Sequence, residues 1–114
     1  MLKPLDVIRF FDNHIDPPKQ KMAACVEPTK LWFFYINSGP RFQPTILLTH
    51  ADHSAFLTYD SHLSIQLLEL TDGEVGEAPI GRIHESLIPE ILHIAERSPH
   101  VTHDEFCSIR DAIA

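Results

Sequence analysis

Residues 22–40 read MAACVEPTKLWFFYINSGP, and this stretch decides the fold class. Met22 to Val26 is a short apolar run of the kind buried inside a sheet, and Glu27-Pro28-Thr29-Lys30 closes it. Leu31 to Ile36 (LWFFYI) is the most apolar stretch in the chain, and its aromatic residues suit a pleated surface, so it reads as a central strand. Asn37-Ser38-Gly39-Pro40 then gives a strong turn signal.

Upstream, Leu5 to Phe11 (LDVIRFF) reads as a first strand. The segment from Asp12 to Lys21, with Pro17, Pro18, Lys19 and Lys21, reads as an exposed loop. Downstream, Thr45 to Thr49 reads as a fourth strand. His50 to Tyr59 reads as a turn, or as one helical turn capped by Asp52 or Ser54. His62 to Leu70 sets Leu63, Ile65 and Leu67 on one face, the period of a half-buried strand. Asp72-Gly73 is a turn dipeptide, followed by a loop from Glu74 to Pro79.

The period then changes. Leu87, Ile88, Ile91, Leu92 and Ala95 share a helical face, which predicts a helix from about Leu87 to Arg97. Ser86 is the expected N-cap, and Pro89 falls in the first turn, where no intrahelical bond is lost. Thr102-x-x-Glu105 is a capping box for a second helix, with Phe106, Ile109 and Ile113 as its apolar stripe. The expected architecture is mainly β with C-terminal helices. It is a single domain: a small, partly open barrel over about residues 5–82, then one or two helices over about 86–113.

The 114 residues fit one domain, and 44% hydrophobic with 22% charged residues is a globular balance. Nine Lys and Arg against 16 Asp and Glu leave a net charge of −7, which repels phosphate backbones at long range. A local basic patch remains compatible with a nucleic-acid site. Eight histidines give the chain a capacity to gain charge as pH falls toward about 6. Cys25 and Cys107 lie in apolar or amphipathic stretches and read as free thiols rather than a disulfide. The N-terminus lacks the apolar run of a signal peptide, and no run is long enough to span a bilayer, so a cytoplasmic location is expected.

Three clusters have residue types suited to chemistry. His50-Ala51-Asp52-His53 offers imidazole and carboxylate ligands for zinc or similar ions. It matches the second half of the H-x-H-x-D-H motif of metallo-β-lactamase-like hydrolases. Leu48 stands two residues upstream, and the chain is far too short for that fold; the commoner reading of the same residues is a polar loop with Asp52 capping a turn. Asp60-Ser61-His62 combines carboxylate, hydroxyl and imidazole at a strand entry, where Asp60 and His62 can share a face. The bland alternative is a strand start whose polar groups satisfy loop amides. Lys19 and Lys21, with Arg9 and Arg41, can neutralise a phosphate, although solvated lysines are common in loops. Of Trp32, Phe33, Phe34 and Tyr35, at least half belong in the core, and the others are candidates to stack bases. Glycine-rich phosphate loops, CxxC pairs and a G-x-S-x-G elbow are missing from the sequence, and no cofactor or metal is expected.

Asp6-Val7-Ile8-Arg9-Phe10-Phe11, then Asp16-Pro17-Pro18-Lys19, then the strand from Met22 to Val26, resembles the opening of the MazF/PemK-like (CcdB/Kid-type) toxin family. Tyr59-Asp60-Ser61-His62 before an alternating strand, and the helix from Leu87 to Arg97, resemble later family elements. The resemblance implies an SH3-like barrel, a homodimer, an antitoxin partner and metal-independent cleavage of single-stranded RNA by its own 2′-hydroxyl. It carries a catalytic acidic residue onto Asp60, a basic group onto Lys19 or Lys21, and a hydroxyl position onto Asn37 or Ser38, with His62 beside Asp60. Lys21-Met22 stands where the family has an Arg-Pro pair, and Thr58 stands where some active members carry arginine. A second reading is therefore a catalytically inactive protein-interaction module on the same barrel, and a third is a metal-binding protein using His50, Asp52 and His53.

Overall fold

Consecutive residues Val7 and Ile8, Ala23 and Ala24, Cys25 and Val26, and Phe33 and Phe34 are all buried. Successive strand side chains point to opposite faces, so the sheet these residues form has to be covered on both sides. The computed structural model, which describes residues 1–76 and 78–114, shows how. Strands β1 (Asp6–Asp12), β2 (Lys19–Glu27), β3 (Trp32–Asn37), β4 (Thr45–Leu48), β5 (Ser61–Glu69) and β6 (Gly81–Arg82) pair antiparallel. Their spatial order is β4-β5-β3-β2-β1-β6, a curled sheet whose two edges do not meet, which makes the barrel a half-barrel. Helices α1 (Asp72–Val75), α2 (Ile88–Arg97) and α3 (His103–Ile113) complete it.

The inner face carries the main core. Val7, Ala24, Val26, Phe34, Leu63 and Ile65 pack there against Ile91 and Ala95 of α2 and Phe106 and Ile109 of α3. On the outer face, Ile8, Phe10, Ala23, Cys25 and Phe33 are covered by Leu2, Leu31, Leu70 and Val75. Cys25 is a free thiol, pushed up to about 12 chiefly by burial; Cys107, also free, is half-buried. Ser98 closes the corner between α2 and α3, donating from Oγ to the carbonyl of Ile65 at 2.9 Å and accepting from His100 N–H.

Several expectations are corrected. β2 begins at Lys19, so Lys19 and Lys21 stand on a strand opposite Asp12 and Phe10 and not in an exposed loop; the connection is only residues 13–18. The sequence hides this because Lys19, Gln20 and Lys21 are polar in succession, with no alternation to mark a strand. Asp72-Gly73 opens a one-turn helix instead of a simple turn, held by a Thr71/Glu74 capping box. Ser86 does not cap α2: a 3-10 turn over Glu85–Leu87 precedes the helix, and the His84 ring accepts the Ser86 N–H. The two-residue strand β6 was not foreseen. The second helix follows its capping box as expected, with Thr102 and Glu105 exchanging both bonds. No helix among the described residues is long and apolar enough to cross a membrane.

Phe34 is fully buried at the centre of the inner core. Phe34→Ala is expected to cost about 3–5 kcal/mol of unfolding free energy, measured by urea denaturation. A loss below about 1 kcal/mol would show that this side chain does not hold the helices to the sheet.

Candidate functional site

The helices cover only one end of the inner face. Beyond Val7 and Ala24 the inward positions become Arg9 and Phe11 on β1, paired with Met22 and Gln20 on β2, and Arg9, Phe11 and Gln20 are exposed. Ile36 and Ser38 continue this surface, and residues 56–59 with Ser61 form the facing wall. The result is a cleft of about 290 Å³. Lys19, Lys21 and Asn37 also border it, from strand positions that alternate to the outer face. Three cationic residues thus line the cleft, and no Asp or Glu is among its lining residues.

The facing wall is pinned from behind. His53 is 2% exposed; its Nδ1 donates to the Thr49 carbonyl at 2.8 Å, which leaves Nε2 to accept the His84 N–H at 3.1 Å. Its ring meets Phe56 edge-on, with centroids 5.7 Å apart. Phe56 in turn lies so close over Gly81 that any Cβ there would collide with its ring, which is why β6 carries glycine at that point. Asp60 Oδ1 accepts the His50 N–H at 2.8 Å and so ties off the end of the turn.

Lys21, Tyr35, Asn37 and Asp12 form a polar network at the end of the outer face. Lys21 Nζ donates to Asn37 Oδ1 at 2.6 Å and stands 5.6 Å from the centre of the Tyr35 ring. Burial lowers the Lys21 pKa from its ordinary value, and the charges of Lys19 and Arg41 lower it further, against the opposing pull of Asp12. Asp12 is fully buried, accepting the His14 N–H at 2.9 Å and the Tyr35 hydroxyl at 2.8 Å. Burial raises the Tyr35 pKa, and the bond to the Asp12 carboxylate adds to the rise. A lysine can only donate, so the Asn37 atom it touches must be the oxygen; the amide nitrogen, Nδ2, is then buried with no acceptor. Such an orphan costs about 1–3 kcal/mol.

Of the residues singled out in the sequence, Arg9, Lys19, Lys21 and Ser38 come together at the cleft. Arg41 is near enough to act on Lys21 through its charge. Asp60 and His62 do not line the cleft: the Asp60 carboxylate is turned to the His50 amide, and His62 sits half-buried on β5 opposite Asn37 and Leu47. No hydrogen bond joins Asp60 to His62 among the described residues. Both ring nitrogens of His53 are committed and Asp52 bonds to Thr49, so the His50/Asp52/His53 cluster is a built turn. Among the described residues no group of three or more His, Cys, Asp or Glu stands close enough to hold a metal ion. Phe33 and Phe34 are core, while the exposed aromatic rings are Phe11, Phe42 and Tyr59, which composition alone does not mark. Asp12 was also missed as a hub, although Asp-x-His with a turn behind it is the pattern of a side chain that caps a backbone amide.

No protein-family model matches the chain, and no curated protein matches it.

The Tyr35 shift has a sign that can be checked. A phenol held neutral in the fold keeps its full contribution to stability below its unfolded pKa of about 10, and loses it as pH rises from there toward the raised folded value. Unfolding free energy is therefore expected to fall above pH ~10 in the native sequence, and to fall less steeply in Tyr35→Phe. Equal slopes in the two proteins, from urea denaturation across that range, would contradict the Asp12–Tyr35 bond.

Proposed function

We propose that the cleft binds single-stranded RNA through its phosphodiester groups. The observation that carries this reading is the concentration of Arg9, Lys19 and Lys21, three of nine basic residues, on a cleft without carboxylates in a chain of net charge −7. Cations placed this way attract phosphate locally while the remaining surface repels longer or double-stranded backbones. Tyr59 on the facing wall is 59% exposed and offers a ring on which a base can stack.

Cleavage is the second reading, and the lowered pKa of Lys21 favours it. A lysine amine held below its ordinary pKa gives up its proton more readily than a solvated one, which suits it to proton transfer. In that step the ribose 2′-oxygen bonds to phosphorus as its proton passes to the neutral Lys21 amine, the bond from phosphorus to the 5′-oxygen breaks, and that oxygen takes a proton from water. Arg9 and Lys19 would balance the charge that develops on the phosphorane. Asp60 has no part in this version, because its carboxylate serves the His50 amide. A toxin role with an antitoxin and a homodimer belongs to the same proposal. Support for self-association is limited to β4, which lies at one sheet edge and carries Leu47 half exposed.

The test is anisotropy of a short fluorescent single-stranded RNA with the purified protein in EDTA at low salt, with the RNA run on a gel afterwards. Arg9→Ala is expected to weaken binding at least about 10-fold, the loss of one charge-assisted contact, and Asp60→Ala less than about 2-fold. If the RNA is cut, Lys21→Met should abolish cutting. No binding, or binding that Arg9→Ala leaves unchanged, would remove the RNA reading.

A further inference from the structure

The outer face has a cavity of its own, about 180 Å³, beside the polar network. Ile15 and Phe42 give it an apolar wall, Leu67 borders it from β5 while packing against the inner core, and Lys21, Tyr35, Asn37 and Gln66 form its polar end. Lys21 and Asn37 face each other across the β2–β3 pair, one step beyond the Met22–Ile36 register, so their head groups reach the cavity side by side.

Lys21 and Asn37 both keep unspent donors there. Lys21 uses one of its three N–H groups on Asn37 Oδ1, and Asn37 Nδ2 has no partner. The nearest carboxylate, Asp12, is already occupied by His14 N–H and Tyr35 O–H. Asn37 is itself 91% buried, being 9% exposed, so water is a poor substitute for the missing acceptor. Two adjacent donors against an apolar wall match a ligand with two coplanar oxygens on a flat hydrophobic body. The volume is below the ~300–1,000 Å³ of sites for drug-sized ligands, which limits that body to a single ring and excludes a nucleotide.

We propose that this cavity binds a small aromatic carboxylate, with its oxygens on Lys21 Nζ and Asn37 Nδ2 and its ring against Ile15 and Phe42. Asn37 Nδ2 is closed to solvent, so the entering oxygen must shift part of the wall. Phe42 is the part with room to move: its side chain is 61% exposed, the most of any in the wall. This site goes beyond the RNA reading: its apolar wall is built from other residues and neither Arg9 nor Tyr59 lines it, although Lys21 and Asn37 border both the cavity and the cleft.

The test is titration of the isotope-labelled full chain with sodium benzoate, followed by amide NMR, with sodium acetate as the ringless control. Saturable shifts at the Asn37 side-chain amide and at Phe42 are expected, with a Kd on the order of 1 mM, in keeping with so small a ligand. Acetate should bind at least about tenfold more weakly, because it lacks the ring that meets the apolar wall. Asn37→Asp places a carboxylate on Lys21 and removes the free donor, and is expected to weaken benzoate at least about tenfold. Phe42→Ala alters an exposed side chain and so keeps the fold; it should weaken benzoate several-fold while leaving Arg9-dependent RNA binding intact. Benzoate affinity equal to that of acetate, affinity unchanged in Asn37→Asp or in Phe42→Ala, or shifts confined to other regions would each overturn the assignment.

Discussion

The apolar character of both faces of the three central strands governs the rest of the molecule. Phe33 and Phe34 are adjacent in sequence, fully buried, and on opposite sides of the sheet. A chain of 114 residues must therefore cover two surfaces. Two helices cover the inner one, and the N-terminal residues with the segment around α1 cover the outer one. Coverage stops at Arg9, Phe11 and Gln20, which are all exposed. Both candidate sites lie at that uncovered end, so their position follows from how far the covering elements reach.

The residues that look most like chemistry in the sequence are used for construction. His53 and Asp60 each hold a backbone amide, and together with Phe56 over Gly81 they fix the wall that faces Arg9. A buried amide without an acceptor costs about 1–3 kcal/mol, so a turn this close to the core recruits whichever imidazole or carboxylate is at hand. Asn37 is the contrary case. Its amide nitrogen is left without a partner although the rest of the network is satisfied, and that imbalance separates a site from a structural network.

Much of the architecture is legible in the sequence because strong apolar periodicity marks it. The runs at Leu5 to Phe11, Met22 to Val26, Leu31 to Ile36 and His62 to Leu70 all become strands, with ends shifted by a residue or a few. The Thr102/Glu105 capping box appears with both of its bonds. What was not legible has local causes. Lys19 and Lys21 sit on a strand whose polar end reads like a loop, and β6 is too short to show any period. The site was legible only in part. Its cations are visible as residue types, but bringing Arg9 against residues 56–61 requires the sheet to curl and the His53 turn to lock, and neither is encoded in a local motif. The orphan amide of Asn37 exists only once Lys21 has taken its oxygen.

Electrostatics joins the fold to the proposed activity. The net charge is opposed to nucleic acid, so binding must come from the few cations gathered at the open end. The salt dependence of the affinity for a short single-stranded RNA tests that claim most directly. Three phosphate contacts predict a slope of log K against log salt of about −2, reduced by about 0.7 in a protein lacking Arg9. An affinity indifferent to salt, or a slope that Arg9 does not influence, would contradict the account.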